Sequence, residues 1–203
     1  MPEIAEPTPA QRRILDAAAT CFAARGFHGT STRDIAREAG LSPAVLYVHY
    51  SSKEDVLHEI ARRGHLITLD VMRAALAEAG DDPVRQLAAV AHAFVLWHVE
   101  AHTTARVINY ELAALTPAHH GSVALQRREI ERIARDILDA GIGSGAFTST
   151  RPGATALAIL SLGIDAARWY RVDGEWTPTD IADHYRGLAL RMVGMDPSAG
   201  ADT

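Results

Sequence analysis

An all-α fold, built as a small N-terminal helical domain followed by a larger one, is predicted by three observations. Apolar residues recur at three- and four-residue spacing along almost the whole chain, and no stretch alternates with the period of two that a strand needs. Alanine, a strong helix former, fills 37 of the 203 positions. Hydrophobic content of 48% against 22% charged residues excludes a disordered or low-complexity chain. The single Cys21 excludes an internal disulfide framework and a four-thiolate zinc site, and predicts a reducing, cytoplasmic setting. The apolar charge-free runs 86–99 and 152–164 fall short of the roughly 18 to 20 residues of a membrane span. The N-terminus MPEIAEPTPA has no apolar core resembling a signal peptide.

The elements follow in order. Thr8-Pro9 opens a first helix to about Ala24, with Ile14, Leu15, Ala18 and Phe22 on one face and Gly26 as its stop. A short helix over about Thr32 to Ala39 is closed by Gly40, and Leu41-Ser42-Pro43 supplies an N-cap hydroxyl and a first-turn proline for a third, reaching about Tyr50. Ser51 and Glu54 have capping-box spacing for a long fourth helix toward Ala79, ended by Gly80-Asp81-Asp82-Pro83. Further helices are predicted over about 83–102, 103–115, 117–140, 152–172 and 178–195, with Gly141, Gly143 and Gly145 breaking the pattern. The resulting division is a tail over 1–8, a first domain over 9–56, a second over 57–195, and a tail over 196–203.

Net charge of −5 argues against nucleic-acid binding by bulk charge, but the charge is uneven. Residues 1–63 carry eight basic and eight acidic side chains, whereas 64–203 carry 12 and 17, so an anion-binding face belongs to the N-terminal part. There, two short helices joined across Gly40-Leu41-Ser42 fit a helix-turn-helix, whose second helix enters the major groove. The stretch TSTRDIAREAGLSPAVLYVHYSSKEDVL interleaves core positions with short or planar donors suited to phosphate oxygens and base edges.

Residues 10–60 resemble the tetracycline-repressor (TetR) family of one-component transcriptional regulators, through Thr32, Ile35, Ala36, Gly40, Leu46, Tyr47, His49, Tyr50, Lys53 and Glu54 in order and spacing. The resemblance implies a double-stranded DNA partner with a palindromic operator. It implies that Thr32 bonds a phosphate, that Arg33 reaches a phosphate or a base edge, and that Ser42, Pro43 and Ala44 lead the recognition helix into the groove. Tyr47, His49 and Lys53, the chain's one lysine, would hold the DNA backbone. Ala44 stands where glycine is frequent in the family, Val45 where Thr, Ser or Ala is frequent, and Tyr50 replaces the usual Phe.

The resemblance further implies that the second domain binds a small molecule and forms a homodimer through its last two helices, about 152–172 and 178–195. Apolar, small-residue-rich PGATALAILSLGI supports that pairing. The effector candidates Phe94, Trp97, His98, Arg106, Tyr110, Arg128 and Trp169 mix aromatic walls with polar groups. RWYRVDGEWTPTDIADHY is similar to family members controlling fatty-acid or steroid breakdown, some of which bind acyl-coenzyme A. The expected function is thus a repressor released by a largely apolar effector, such as a lipid or acyl-CoA. His98 and His102 share a helical face, yet there is no HExxH and no thiolate, so no metal is expected. No phosphate loop, nucleophile elbow or CxxC is present; neither an enzymatic activity nor a cofactor is expected.

Overall fold

A computed structural model describes residues 6–195. Among the described residues there is no strand, and the helices are α1 (Pro9–Arg25), α2 (Thr32–Glu38), α3 (Pro43–His49), α4 (Lys53–Ala79), α5 (Pro83–Glu100), α6 (His102–Tyr110), α7 (Pro117–Gly143), α8 (Pro152–Trp169) and α9 (Pro178–Met192), with a single 3-10 turn at Leu112–Ala114. None of them is long and apolar enough to cross a membrane. The expected tail 196–203, like residues 1–5 of the other, lies outside the described residues; Glu6, just before α1, pairs with Arg12 at 2.9 Å.

Local chemistry accounts for most helix starts. Thr8, Ser31 and Thr177 each form a reciprocal capping box with the residue three places on, and Ser42 and Asp82 cap α3 and α5. Gly40 adopts φ 62°, the left-handed conformation that closes α2. The start of α4 differs from the expectation. Ser52, not Ser51, accepts the Asp55 N–H at 3.1 Å, and both serine hydroxyls donate to the Asp55 carboxylate, leaving Glu54 to face elsewhere. Helix α7 also differs, because it runs through Gly141 and ends at Gly143, with Gly145 at φ 79° turning the chain just beyond it.

Two compact units result. The first comprises Met1–Ile67 and Thr103–Gln126; the second comprises Thr68–His102 and Arg127–Thr203. This division differs from the boundary expected at residue 57, since α6 and the start of α7 join the N-terminal helices. Arg106 donates to the Ala23 carbonyl at 3.4 Å, and the Glu111 carboxylate accepts the Phe27 N–H at 3.1 Å. At Gly64 an added Cβ would lie 2.7 Å from Ile108 Cδ1, so α4 and α6 are in close approach. The core of the first unit, including Ile14, Phe22, Ile35, Leu46 and Leu57, is essentially solvent-free, each side chain contributing about 1.5–3 kcal/mol. In the second unit α5 lies against α8 and α9. Gly163 permits this approach, for a Cβ there would stand 2.8 Å from the Phe94 ring.

Candidate nucleic-acid interface and effector cavity

The helix-turn-helix is fixed from outside as well as by its own caps. Arg13, on α1, donates to the Ala39 carbonyl at 2.6 and 3.1 Å and to the Gly40 carbonyl at 3.1 Å, satisfying the exposed end of α2. No local pattern marks Arg13, because its partners lie 26 and 27 residues away. Ser31 and Arg37 hold the Asp34 carboxylate well below its usual titration range, Ser31 through its hydroxyl first. That carboxylate is therefore a fixed N-terminal charge of α2.

On this frame most of the expected DNA contacts are open to solvent. Arg33, Ser42, Pro43, Ala44 and Tyr47 are exposed, and Thr32 and His49 are half-buried. Thr32 Oγ1 and the Tyr47 hydroxyl are hydrogen-bonded at 3.1 Å, which ties the start of α2 to α3 and orients two phosphate-type donors together. Lys53 has a second employment that its motif did not reveal. Its ammonium donates to the Phe27 carbonyl at 2.7 Å and the Thr30 carbonyl at 2.8 Å, and lies 4.2 Å from the Phe27 ring centroid. An ammonium has three N–H donors, so one more than these two bonds can reach a phosphate. Tyr50 is buried, which pushes its phenol up to about 12.

A histidine cluster lies where the first turns of α4 meet the start of α7. Glu54 accepts the Thr116 N–H at 2.8 Å and pairs with His119 Nδ1 at 2.9 Å, and the His119 ring stacks on His58 at 3.7 Å. His58 Nε2 and Ser122 Oγ are 2.9 Å apart. Glu54, Asp55 and His119 bring their ligand-type atoms within 4.8 Å, while the Asp55 carboxylate accepts from the Ser51 and Ser52 hydroxyls and the Glu54 carboxylate from the Thr116 N–H. Burial, and then the neighbouring His119, push the His58 imidazole below its ordinary value. A base with a depressed folded-state pKa binds fewer protons than the unfolded chain, so its stability contribution is lost as pH falls through about 6.5. The melting temperature of His58→Asn is accordingly expected to fall less between pH 7.5 and 5.5 than that of the wild type; equal slopes in differential scanning fluorimetry would refute this.

The effector candidates do not converge on one cavity. Phe94 lines a narrow void of about 20 Å³ with Leu87, Leu160 and Met192, room for a water molecule only. Trp97 stands edge-on to the buried His98, whose Nδ1 is 2.8 Å from the Phe94 carbonyl. His102 approaches the Val99 carbonyl and Tyr170, so His98 and His102 point to different partners. Arg106 and the half-exposed Tyr110 belong to the first unit, and Arg128 is exposed on α7. Trp169 alone of the seven lines a roomy cavity. It has about 420 Å³ and is walled by Trp169, Trp176, Ile181, Tyr185 and Leu188, with Asp180 and His184 as its ionisable groups. The two indoles meet edge-on at 6.2 Å. Burial raises the Tyr185 hydroxyl, opposed by the hydrogen bond it accepts from Trp169.

Two family models match consecutive stretches of the chain. Residues 14–60 match the family model of bacterial regulatory proteins of the tetR family, and residues 80–193 match that of the tetracyclin repressor-like C-terminal domain. The chain is 30% identical over 179 residues to the HTH-type transcriptional repressor KstR2 of Rhodococcus jostii RHA1, covering 87% of each. A crystal structure of a tetR-family regulatory protein from Rhodococcus RHA1 is similar with a TM-score of 0.87 and 39% identity, covering 93% of this chain and 99% of that one. The structure of AibR in complex with isovaleryl coenzyme A and operator DNA shares the fold, with a TM-score of 0.80 at 24% identity over 88% of this chain and 97% of that one.

Proposed function

Because the chain belongs to the tetracycline-repressor family of DNA-binding transcriptional regulators, we propose that it is a repressor released from a palindromic operator by a bulky, largely apolar small molecule. The observation that carries the DNA half of this reading is the exposed surface on which Arg33, Ser42, Pro43, Ala44 and Tyr47 stand beside the Thr32–Tyr47 hydrogen bond. A palindrome requires two recognition helices about 34 to 36 Å apart, hence a homodimer. The exposed Leu157 and Leu162 on α8 and Met192 on α9 support pairing through these helices, since a lone unit has no cover for them.

The effector half rests on the Trp169 cavity, whose volume of about 420 Å³ is in the range of small-molecule sites and whose walls are mostly aromatic and aliphatic. It replaces the Phe94 region, which has no room for a bulky ligand. An acyl-coenzyme A thioester fits the reading through AibR, whose structure holds isovaleryl coenzyme A, and repression fits it through the repressor KstR2. The acyl group occupies the cavity; Arg106 and Arg128, expected to meet an anionic group, do not line it. Helix α4 has residues in both units and carries Lys53 at its start, so an effector that displaces α4 biases the dimer away from its DNA-competent arrangement.

Fluorescence anisotropy with DNA from beside the protein's own gene, at fixed salt, tests the reading. Specific binding is expected for wild type and at least about tenfold weaker binding for Tyr47→Ala, the loss of a charge-assisted hydrogen bond. Acyl-CoA thioesters are expected to release wild type but not Trp169→Ala, which keeps its DNA affinity. Release of both proteins alike would exclude the Trp169 cavity as the effector site.

A further inference from the structure

The outward face of α3 carries almost no side chain able to hydrogen-bond a base. Pro43, Ala44 and Val48 are exposed there, Val48 to 79%. The polar groups beside them are held in place by local partners, Ser42 Oγ accepting the Val45 N–H at 3.4 Å and the Tyr47 hydroxyl paired with Thr32 at 3.1 Å, and His49 is half-buried. Ala44 and Val48 stand four residues apart on a helix, so their methyl groups form one short apolar stripe. Valine at a solvent position contributes nothing to the core, and its β-branching is unfavourable in a helix. Its place on this surface therefore calls for a partner.

In the major groove every feature that distinguishes one base pair from another is a donor or acceptor, except the C5 methyl of thymine. An apolar side chain laid on the donors and acceptors desolvates them without return; laid on the methyl it buries apolar surface on both sides. Resting on the operator-binding reading above, we infer that Val48, with Ala44 beside it, is the specificity-determining contact of α3 and reads thymine methyl groups. Each operator half-site then carries thymine at the one or two steps that face this stripe. Hydrogen-bonded readout falls to Arg33, exposed on α2.

Deoxyuridine differs from thymidine only by the missing methyl, which makes the test specific. Full-length wild type and Val48→Ala are titrated at fixed salt against an operator selected from random duplexes by the wild type, and against copies with each thymine replaced in turn by deoxyuridine. Burial of one methyl corresponds to about fourfold in affinity. Wild type is expected to lose about fourfold at one or two thymines per half-site. Val48→Ala, melting as wild type because the side chain is exposed, is expected to bind the intact operator more weakly and to lose nothing further at those positions. A flat deoxyuridine scan on an operator that wild type binds specifically overturns the inference, as does equal deoxyuridine sensitivity in Val48→Ala. If the selection enriches no duplex, the operator-binding reading itself falls, and the inference with it.

Discussion

Replacing Gly141 with alanine lowers stability by about 2 kcal/mol, although the same change at an ordinary helical position raises it by about 0.5–1 kcal/mol. Gly141 lies inside α7, where glycine costs backbone entropy without supplying a side chain. The chain nevertheless turns back after Gly145, and the Phe147 N–H reaches the Gly141 carbonyl at 3.0 Å. The Phe147 ring, 3% exposed, then occupies the space that a Cβ on residue 141 would fill. Either the ring leaves its site or α7 shifts, and both sacrifice buried apolar contact. Gly121, on the same helix with open space around its Cβ position, is the internal control. Chemical denaturation is expected to show Gly121→Ala as stable as wild type or more so, and Gly141→Ala less stable; equal behaviour of the two would contradict the packing described.

The second large effect is expected from Lys53→Ala, which acts on folding and on DNA together. The ammonium closes two carbonyls of the α1–α2 connection, and hydrogen bonds to a charged group are each worth about 1.5–3 kcal/mol, less where the pair is part-exposed as here. Its removal is expected to cost about 2 kcal/mol of stability and at least about tenfold in operator affinity, with the slope of log affinity against log salt reduced by about one. Lys53→Arg is expected to restore the charge but not both carbonyl bonds, since a planar fork replaces a point charge. Lost affinity at unchanged stability would reduce the residue to a phosphate contact. Lost stability at unchanged affinity would reduce it to a structural tie.

The fold was legible in the sequence where its causes are local. Capping residues at Thr8, Ser42 and Thr177, prolines in first turns and the left-handed Gly40 each act within a few residues, and their helices begin and end close to where spacing puts them. The helix-turn-helix surface was legible for the same reason, its residues standing in one motif over 32–53. What the sequence did not disclose depends on packing between distant segments. Glu54 was read as a capping partner of Ser51, whereas His119 and the Thr116 N–H take it up more than 60 residues away. Arg13 and the boundary between the units have the same origin. The effector candidates scattered because aromatic residues fill cores as readily as they line cavities. Phe94 fills, Trp169 lines, and only the crossing of α5, α8 and α9 decides which.

The employment of Lys53 by two carbonyls has a chemical corollary. With 19 of the 20 basic residues being arginine, the protein offers acylating reagents one side-chain amine in its whole length. That amine already donates to the Phe27 and Thr30 carbonyls. Acylation there removes the charge and at least one of the two bonds in a single event. Side-chain amine chemistry is thus confined to an atom that ties the start of α4 to the α1–α2 connection.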